Sequence, residues 1–73
     1  MFELDFFDKE TEELLEEHVL TALTSEDVYQ IFGFYLEGDC ADVSPKQLEQ
    51  IEQITGKSFT SNGRDIYLCE VQD

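Results

Sequence analysis

The sequence predicts a small α+β domain, in which a small antiparallel sheet (an N-terminal hairpin plus a C-terminal strand) carries two helices packed on one face. Apolar and acidic residues alternate in the opening stretch "MFELDFFD", as on a strand with one apolar face. Ser44 and Gly56 mark the start and the end of a helix. Asn62 and Gly63 form a turn signal before "DIYLCEV", whose apolar residues on both faces are typical of a central strand. The 73 residues, 1–73, are enough for a single domain.

The segment "KETEELLEEHVLTAL" (residues 9–23) permits two interpretations. As a helix it has good helix formers and an apolar stripe at Leu14, Leu15, Val19, Ala22 and Leu23. As a strand its alternation is poor. However, a lone N-terminal strand needs a neighbour, and "DKET" after an aromatic strand is suitable for a hairpin turn. The residues alone leave both interpretations open.

The segment "TSEDVYQIFGFYLEGD" predicts the first helix. Thr24 or Ser25 is the predicted N-cap, and apolar residues recur from Val28 with the spacing i, i+3, i+4, i+7. Gly38 can end this helix, although Gly33 weakens its middle and favours an earlier end.

The segment "SPKQLEQIEQITGK" predicts the second helix. Ser44 and Gln47 form a capping box, Pro45 takes the first helical position, and Gly56 is the left-handed stop. The predicted core of the domain consists of Phe2, Leu4, Phe6, Val28, Ile31, Phe32, Leu48, Ile51, Ile54 and Leu68.

The charge balance is the strongest functional signal in the sequence. Eighteen acidic residues oppose four basic ones, giving a formal net charge of −14. Free nucleic acid and anionic membranes bind through clusters of Lys and Arg, so neither is an expected partner. A basic protein would be attracted instead. High acidity can also serve only to keep a small protein soluble.

The chain has no secretory leader pattern and no apolar run long enough to span a membrane, so we expect a cytoplasmic protein. Its two cysteines, Cys40 and Cys69, are far apart and form no CxxC pair. In the cytoplasm we therefore expect two reduced, partly buried thiols, with a bridge or a reactive thiol as the alternatives.

The acidic run "DKETEELLEEH" could in principle hold a metal or catalytic carboxylates. It lacks the ligand pattern and the glycine of a calcium loop. Zinc could use His18, Cys40 and Cys69, but their spacing matches no zinc motif. No nucleophile motif or phosphate loop is present either. We therefore expect no metal, no cofactor, no catalytic residue and no enzyme activity.

Two stretches, "FDKETEELLEEHVL" and "DIYLCEV", resemble the frame of a family of small bacterial proteins. Its members open with an aromatic strand, continue through a D-K-x-T-like turn into a second strand, and close with a D-Y-F-L-E-like strand. Some are immunity proteins of polymorphic toxin and contact-dependent growth inhibition systems. The resemblance implies that residues 13–20 form the second strand of a hairpin. Cys69 in the closing strand and the extreme acidity depart from the family pattern.

Charge and resemblance together predict an acidic binding module that neutralises a cognate basic toxin of the nuclease type. The module would occupy or cover the cationic active-site cleft of the toxin. One alternative is a phage-type DNA mimic that inhibits a nucleic-acid-binding protein. Another is a small structural or regulatory subunit whose acidity is incidental.

The predicted contact with the partner lies in acidic segments that have no base nearby. The loop "EGDCAD" is the first choice and "EELLEEH" is the main alternative, which otherwise adds only long-range attraction. The candidate partner-binding residues are Glu37, Asp39 and Asp42 in the loop, and Glu12, Glu13, Glu16 and Glu17 in the alternative segment.

Overall fold

The computed structural model of the chain describes residues 1–72, so residue 73 of the predicted domain lies outside the described part. The elements follow in the order β1 (Phe2–Asp8), β2 (Leu14–Leu20), α1 (Ser25–Phe32), β3 (Cys40–Asp42), α2 (Pro45–Thr55) and β4 (Arg64–Glu70). The strands form one antiparallel sheet in the order β2-β1-β4-β3. The predicted α+β fold is confirmed.

The first two strands form the hairpin that the resemblance implied, and residues 14–20 are a strand rather than part of a helix. The carboxylate of Asp8 accepts hydrogen bonds from the amides of Glu10 and Thr11, at 2.8 and 2.9 Å, and so shapes the turn. Glu12 takes a left-handed backbone conformation there, with φ 63°. The last residue of β2, Leu20, is buried beside the sheet, which stabilises the strand against its helical propensity.

The fourth strand, β3, was not predicted, because "EGDCAD" was interpreted as a loop. It is an edge strand of three residues paired with β4, and it places Cys40 directly opposite Cys69. The structure joins these two cysteines in a disulfide, with their Cα atoms 4.0 Å apart. The prediction of two reduced thiols was therefore wrong. A separation of 29 residues gave no indication that the sheet would bring the two side chains together.

Both helices begin at the predicted caps. The hydroxyl of Thr24 accepts from the third residue of α1, and Ser44 does the same for α2. Gly33, with φ 85°, ends α1 before the predicted stop at Gly38. Gly56, with φ 72°, ends α2 as predicted.

One hydrophobic core lies between the two helices and one face of the sheet. Two residues of the predicted core, Ile31 and Phe32, are only partly buried. The prediction that Ile54 belongs to the core was wrong, because 41% of its surface is exposed at the outer side of α2. The buried residues are Phe2, Leu4, Phe6, Leu20, Leu23, Val28, Leu36, Leu48, Ile51, Ile66 and Leu68. This single core places both helices on the same face of the sheet, which leaves the other face uncovered.

The helices of the described chain are short, with eight residues in α1 and eleven in α2. A membrane-spanning helix needs about 20 apolar residues. None of the helices in residues 1–72 has the length and apolar character to cross a membrane.

Candidate functional site

The candidate site is the side of the sheet that carries no helix, here called the helix-free face. Side chains alternate between the two faces of a strand, and residues directly opposite each other on paired strands share a face. Phe2, Leu4 and Phe6 of β1 point into the core, so Glu3, Asp5 and Phe7 point the other way. The alternation noted in "MFELDFFD" therefore produces both the core and this second surface.

The strand register groups the residues of the helix-free face into rows that run across the sheet. The central row contains Glu17, Asp5, Tyr67 and Asp42, one from each strand. A second row contains Val19, Glu3, Cys69 and Cys40, and a third contains Leu14, Phe7 and Asp65. Since neighbouring strands lie about 4.8 Å apart, the central row spans roughly 14 Å.

Three carboxylates of this face, those of Glu3, Asp5 and Glu17, converge and are here called the carboxylate triad. Each supplies one oxygen that lies within 4.8 Å of those from the other two. A hydrogen bond with Asp5 raises the pKa of Glu3, burial raises the pKa of Asp5, and a hydrogen bond with Glu3 raises the pKa of Glu17. The triad therefore holds its negative charge less readily than three separate carboxylates would.

One oxygen of the triad lacks a hydrogen bond. Oδ1 of Asp5 is buried and has no partner among the described residues. The other oxygen, Oδ2, lies 3.7 Å from the sulfur of Cys69, which is in a disulfide and has no hydrogen to donate. A buried carboxylate oxygen without a donor is costly, so Asp5 would gain from a cationic or donor group at this face.

Within the described strands, no Lys or Arg occupies a position in these three rows. Arg64 is on the helix side, where it is paired with Glu16 and lies 5.9 Å from the centre of the Phe6 ring. Its hydrogen bond lowers the pKa of Glu16. Among the described residues, this ion pair compensates Glu16 on the helix side and leaves the helix-free face uncompensated.

Two aromatic rings interrupt the acidic surface. Phe7 and Tyr67 meet edge to face with their ring centres 5.6 Å apart. With Glu12 and Asp65 they line a shallow cavity of about 230 Å³. The helix-free face therefore combines carboxylates with aromatic area, which is the composition suited to the Arg and Lys side chains of another protein.

The structure brings together parts of both predicted acidic segments. Glu17 and Asp42 share the central row with Asp5, and Glu12 lies at the rim beside Phe7. The other candidate residues lie elsewhere: Glu16 faces the helix side, while Glu13, Glu37 and Asp39 are exposed in the turn before β2 and the loop before β3.

The sequence interpretation missed Glu3 and Asp5, although they are two of the three triad residues. The signal that could have found them was the alternation in the first strand, which assigns both residues to the face opposite Phe2 and Leu4. Only the strand register, however, places Glu17 beside them.

Comparison with known proteins identifies the family of the chain. Residues 1–69 match the family described as a domain of unknown function (DUF7683). The chain belongs to this family. No curated protein and no solved structure matches it significantly. The match covers all four strands and both helices of this DUF7683 domain almost completely, so the helix-free face is part of the family domain.

The triad can interact with two kinds of cation. Three carboxylate oxygens could contribute to a calcium site, which needs six to eight oxygen ligands, with water supplying the others. They could equally accept hydrogen bonds from a guanidinium or ammonium group of a protein. The expected absence of a metal remains a prediction.

Proposed function

We propose that this DUF7683 domain is a cytoplasmic binding module that docks onto a basic protein through its helix-free face. The proposed partner is a toxin domain of the nuclease type, whose cationic cleft the module occupies or covers. The observation that carries the proposal is the carboxylate triad of Glu3, Asp5 and Glu17 on a face without a basic strand residue.

The electrostatics of the triad favour a cationic partner over an empty face. Each of its carboxyl groups has a raised pKa, so ionised neighbours repel one another in the free protein. A guanidinium placed between them removes this repulsion and supplies a donor to Oδ1 of Asp5. Binding is therefore more favourable, because it removes the electrostatic repulsion within the triad that destabilises the isolated domain.

The aromatic part of the face supplies a different contribution. Phe7 and Tyr67 offer ring faces and edges to the aliphatic stems and charged ends of Lys or Arg. Aromatic and Arg residues are enriched at the energetically important centres of interfaces. We therefore place the centre of the contact between the triad and this ring pair.

The overall charge adds speed to the association. A net charge of −14 attracts a basic protein over several ångströms and raises the rate of encounter about 10-fold to 1,000-fold at low salt. Rapid capture suits an inhibitor of a toxin that acts before it is bound. Nucleases bind phosphates through cationic clefts, so an acidic surface competes directly with their substrate.

The environment of the single histidine also supports binding rather than catalysis. His18 contacts Glu16 at 3.0 Å, and its ring packs against those of Phe6 and Phe59 with centre distances of 5.7 and 5.0 Å. It lies on the helix side of the sheet, away from the triad. A packed and paired histidine of this kind serves the structure of the hairpin.

The test captures the partner from a lysate of the native host with the tagged domain, identifies it by mass spectrometry, and measures its binding to the purified domain. We compare the double variant Asp5→Asn with Glu17→Gln against a control, Glu10→Gln with Glu49→Gln, which removes the same charge from exposed positions elsewhere. We expect the triad variant to dissociate at least 10-fold faster, and the control to change the association rate less than about 3-fold.

Surface plasmon resonance measures the association rate and the dissociation rate separately. Repeating it at a second salt concentration shows how much of the association rate is electrostatic. Equal, small effects of both variants would contradict the proposed contact and would leave the acidity as a general surface property. Loss of toxin inhibition in cells that express the triad variant, with full inhibition by the control, would support the proposed function.

A further inference from the structure

The disulfide between Cys40 and Cys69 links the three-residue edge strand β3 to the central strand β4. Both cysteines lie on the helix-free face, where Cys40 is exposed and Cys69 is partly buried. Disulfides are rare in the cytoplasm unless they are transient, catalytic or redox-sensing. Since the proposed function places the domain in the cytoplasm, an accessible disulfide at its sheet edge is expected to have a role other than permanent reinforcement.

A small set of hydrogen bonds also holds β3 and the loop before it in place. The amide of Gly38 donates to the carboxylate of Glu70 at 2.9 Å. The amide of Glu70 donates to the carbonyl of Asp39 at 3.1 Å, and the amide of Val43 donates to the carbonyl of Ile66 at 2.9 Å. Between them lies a ladder of three residue pairs. Among the side chains of β3, only Ala41 packs partly against the core. The Cys40–Cys69 disulfide is therefore a major part of the attachment of β3 to β4.

We propose that the Cys40–Cys69 disulfide is a redox switch that controls the attachment of β3 to the sheet. In the disulfide form, β3 and the preceding acidic loop, residues 37–39, are held against β4. In the dithiol form, β3 separates from β4 while β1, β2, β4 and the two helices keep their core. The switch belongs to the domain itself and operates whether or not a partner is bound.

The opening reaction is a thiol–disulfide exchange with a dithiol reductant. A thiolate of the reductant attacks the exposed sulfur of Cys40 and forms a mixed disulfide, and the sulfur of Cys69 leaves as a thiolate and takes up a proton. The second thiolate of the reductant then displaces Cys40, which is also protonated. Two electrons pass to the protein, and the reductant becomes a disulfide. A disulfide oxidant reverses both steps.

The neighbouring carboxylate opposes the first step. Oδ2 of Asp5 lies 3.7 Å from the sulfur of Cys69, so a thiolate formed there is next to a negative charge. Asp39 and Asp42 flank Cys40 and repel anionic thiols. The reductant that fits this surface therefore carries no negative charge apart from its attacking thiolate.

The experiment compares the full chain oxidised with 2-hydroxyethyl disulfide, a neutral disulfide, and reduced with dithiothreitol, a neutral dithiol. Alkylation and mass spectrometry should count no free thiol in the first form and two in the second. Hydrogen exchange should then be at least 10-fold faster for residues 40–43 in the reduced form, with the amides of β1 and β2 unchanged. The double variant Cys40→Ser with Cys69→Ser should exchange like the reduced form under both conditions.

Three results would overturn the proposal: free thiols after oxidation, unchanged exchange at residues 40–43 after reduction, or unfolding of the whole domain on reduction. A rate measurement tests the role of the carboxylate separately. Asp5→Asn should be reduced at least 3-fold faster by dithiothreitol than the unsubstituted chain, whereas Glu49→Gln should be reduced at the unsubstituted rate. Equal rates for Asp5→Asn and the unsubstituted chain would overturn the inhibitory role of Asp5.

Discussion

At the scale of single residues, the main feature is the crowding of Glu3, Asp5 and Glu17. Such crowding costs stability when the groups are ionised, so folding alone does not account for it. The opposite is found at Glu16, where a hydrogen bond from Arg64 lowers the pKa, and at Asp8, where backbone amides of the hairpin turn lower the pKa. Acidic residues of one small domain therefore have opposite effects on its stability, depending on their hydrogen-bond partners.

The triad predicts a specific dependence of stability on pH. A carboxyl whose pKa is raised on folding destabilises the fold fully above its folded pKa, and this cost disappears as the pH falls toward its unfolded value of about 4. We expect the melting temperature to rise as the pH is lowered from neutral toward about 4. Below about pH 4 it should fall again, because Asp8 and Glu16 lose their favourable ionised form.

The variant Glu17→Gln isolates the contribution of the triad to this profile. Removing one charge of the triad should raise the melting temperature at pH 7 and flatten its rise between neutral pH and about pH 4. Glu49→Gln, on the exposed side of α2, should leave the slope almost unchanged. Parallel profiles for both variants, recorded by circular dichroism, would show that the slope arises from net charge alone.

At the scale of secondary-structure elements, the second strand of the hairpin shows how tertiary contacts override local propensity. "EELLEEH" is rich in good helix formers, yet from Leu14 onward it belongs to β2, which pairs with β1. The strand exposes Leu14, Leu15 and Val19 and buries Leu20. The strand pairing stabilises the domain more than a helix of the same residues would, because it covers one edge of β1 and adds Leu20 to the core.

Two matched substitutions distinguish the hairpin from the helical interpretation. Leu20→Ala should destabilise the domain by about 2–5 kcal/mol, because Leu20 is fully buried. Leu15→Ala should change stability by less than about 0.5 kcal/mol, since 43% of Leu15 is exposed. Urea unfolding measures both. In a helix, Leu15 would be on the buried stripe, so a larger loss for Leu15→Ala than for Leu20→Ala would contradict the strand.

At the scale of the whole molecule, acidity dominates the behaviour of a domain with a small core. A net charge of −14 on 73 residues creates self-repulsion in the compact state, which the unfolded chain relieves by expanding. Much of this charge lies on surfaces without bases, including the helix-free face. The same field that would attract the proposed basic partner therefore reduces the stability of the free domain.

Salt should consequently stabilise the isolated domain. Raising sodium chloride from about 10 mM to 0.5 M shortens the screening length from roughly 30 Å to a few ångströms and weakens the repulsion. We expect a clear increase in the melting temperature, with most of the change below about 0.2 M. Calcium at the same ionic strength serves as a comparison: a much larger effect of calcium would contradict the predicted absence of a metal site.

The sequence by itself determined the fold class, both helix starts, the second helix stop, the first and last strands and most of the core. These features depend on local chemistry: alternation, capping hydroxyls, a left-handed glycine and turn residues. It also determined the acidity that suggests a basic partner. The hairpin strand needed, in addition, the resemblance to known proteins.

Only the tertiary structure decided which acidic residues act together. Glu17 joins Glu3 and Asp5, and Asp42 joins their face, because strand register connects residues that are distant in sequence. Register also brought Cys40 beside Cys69 and made a fourth strand of a segment that looked like a loop. Such pairings depend on contacts between distant segments, and the local pattern of residues carries no information about them.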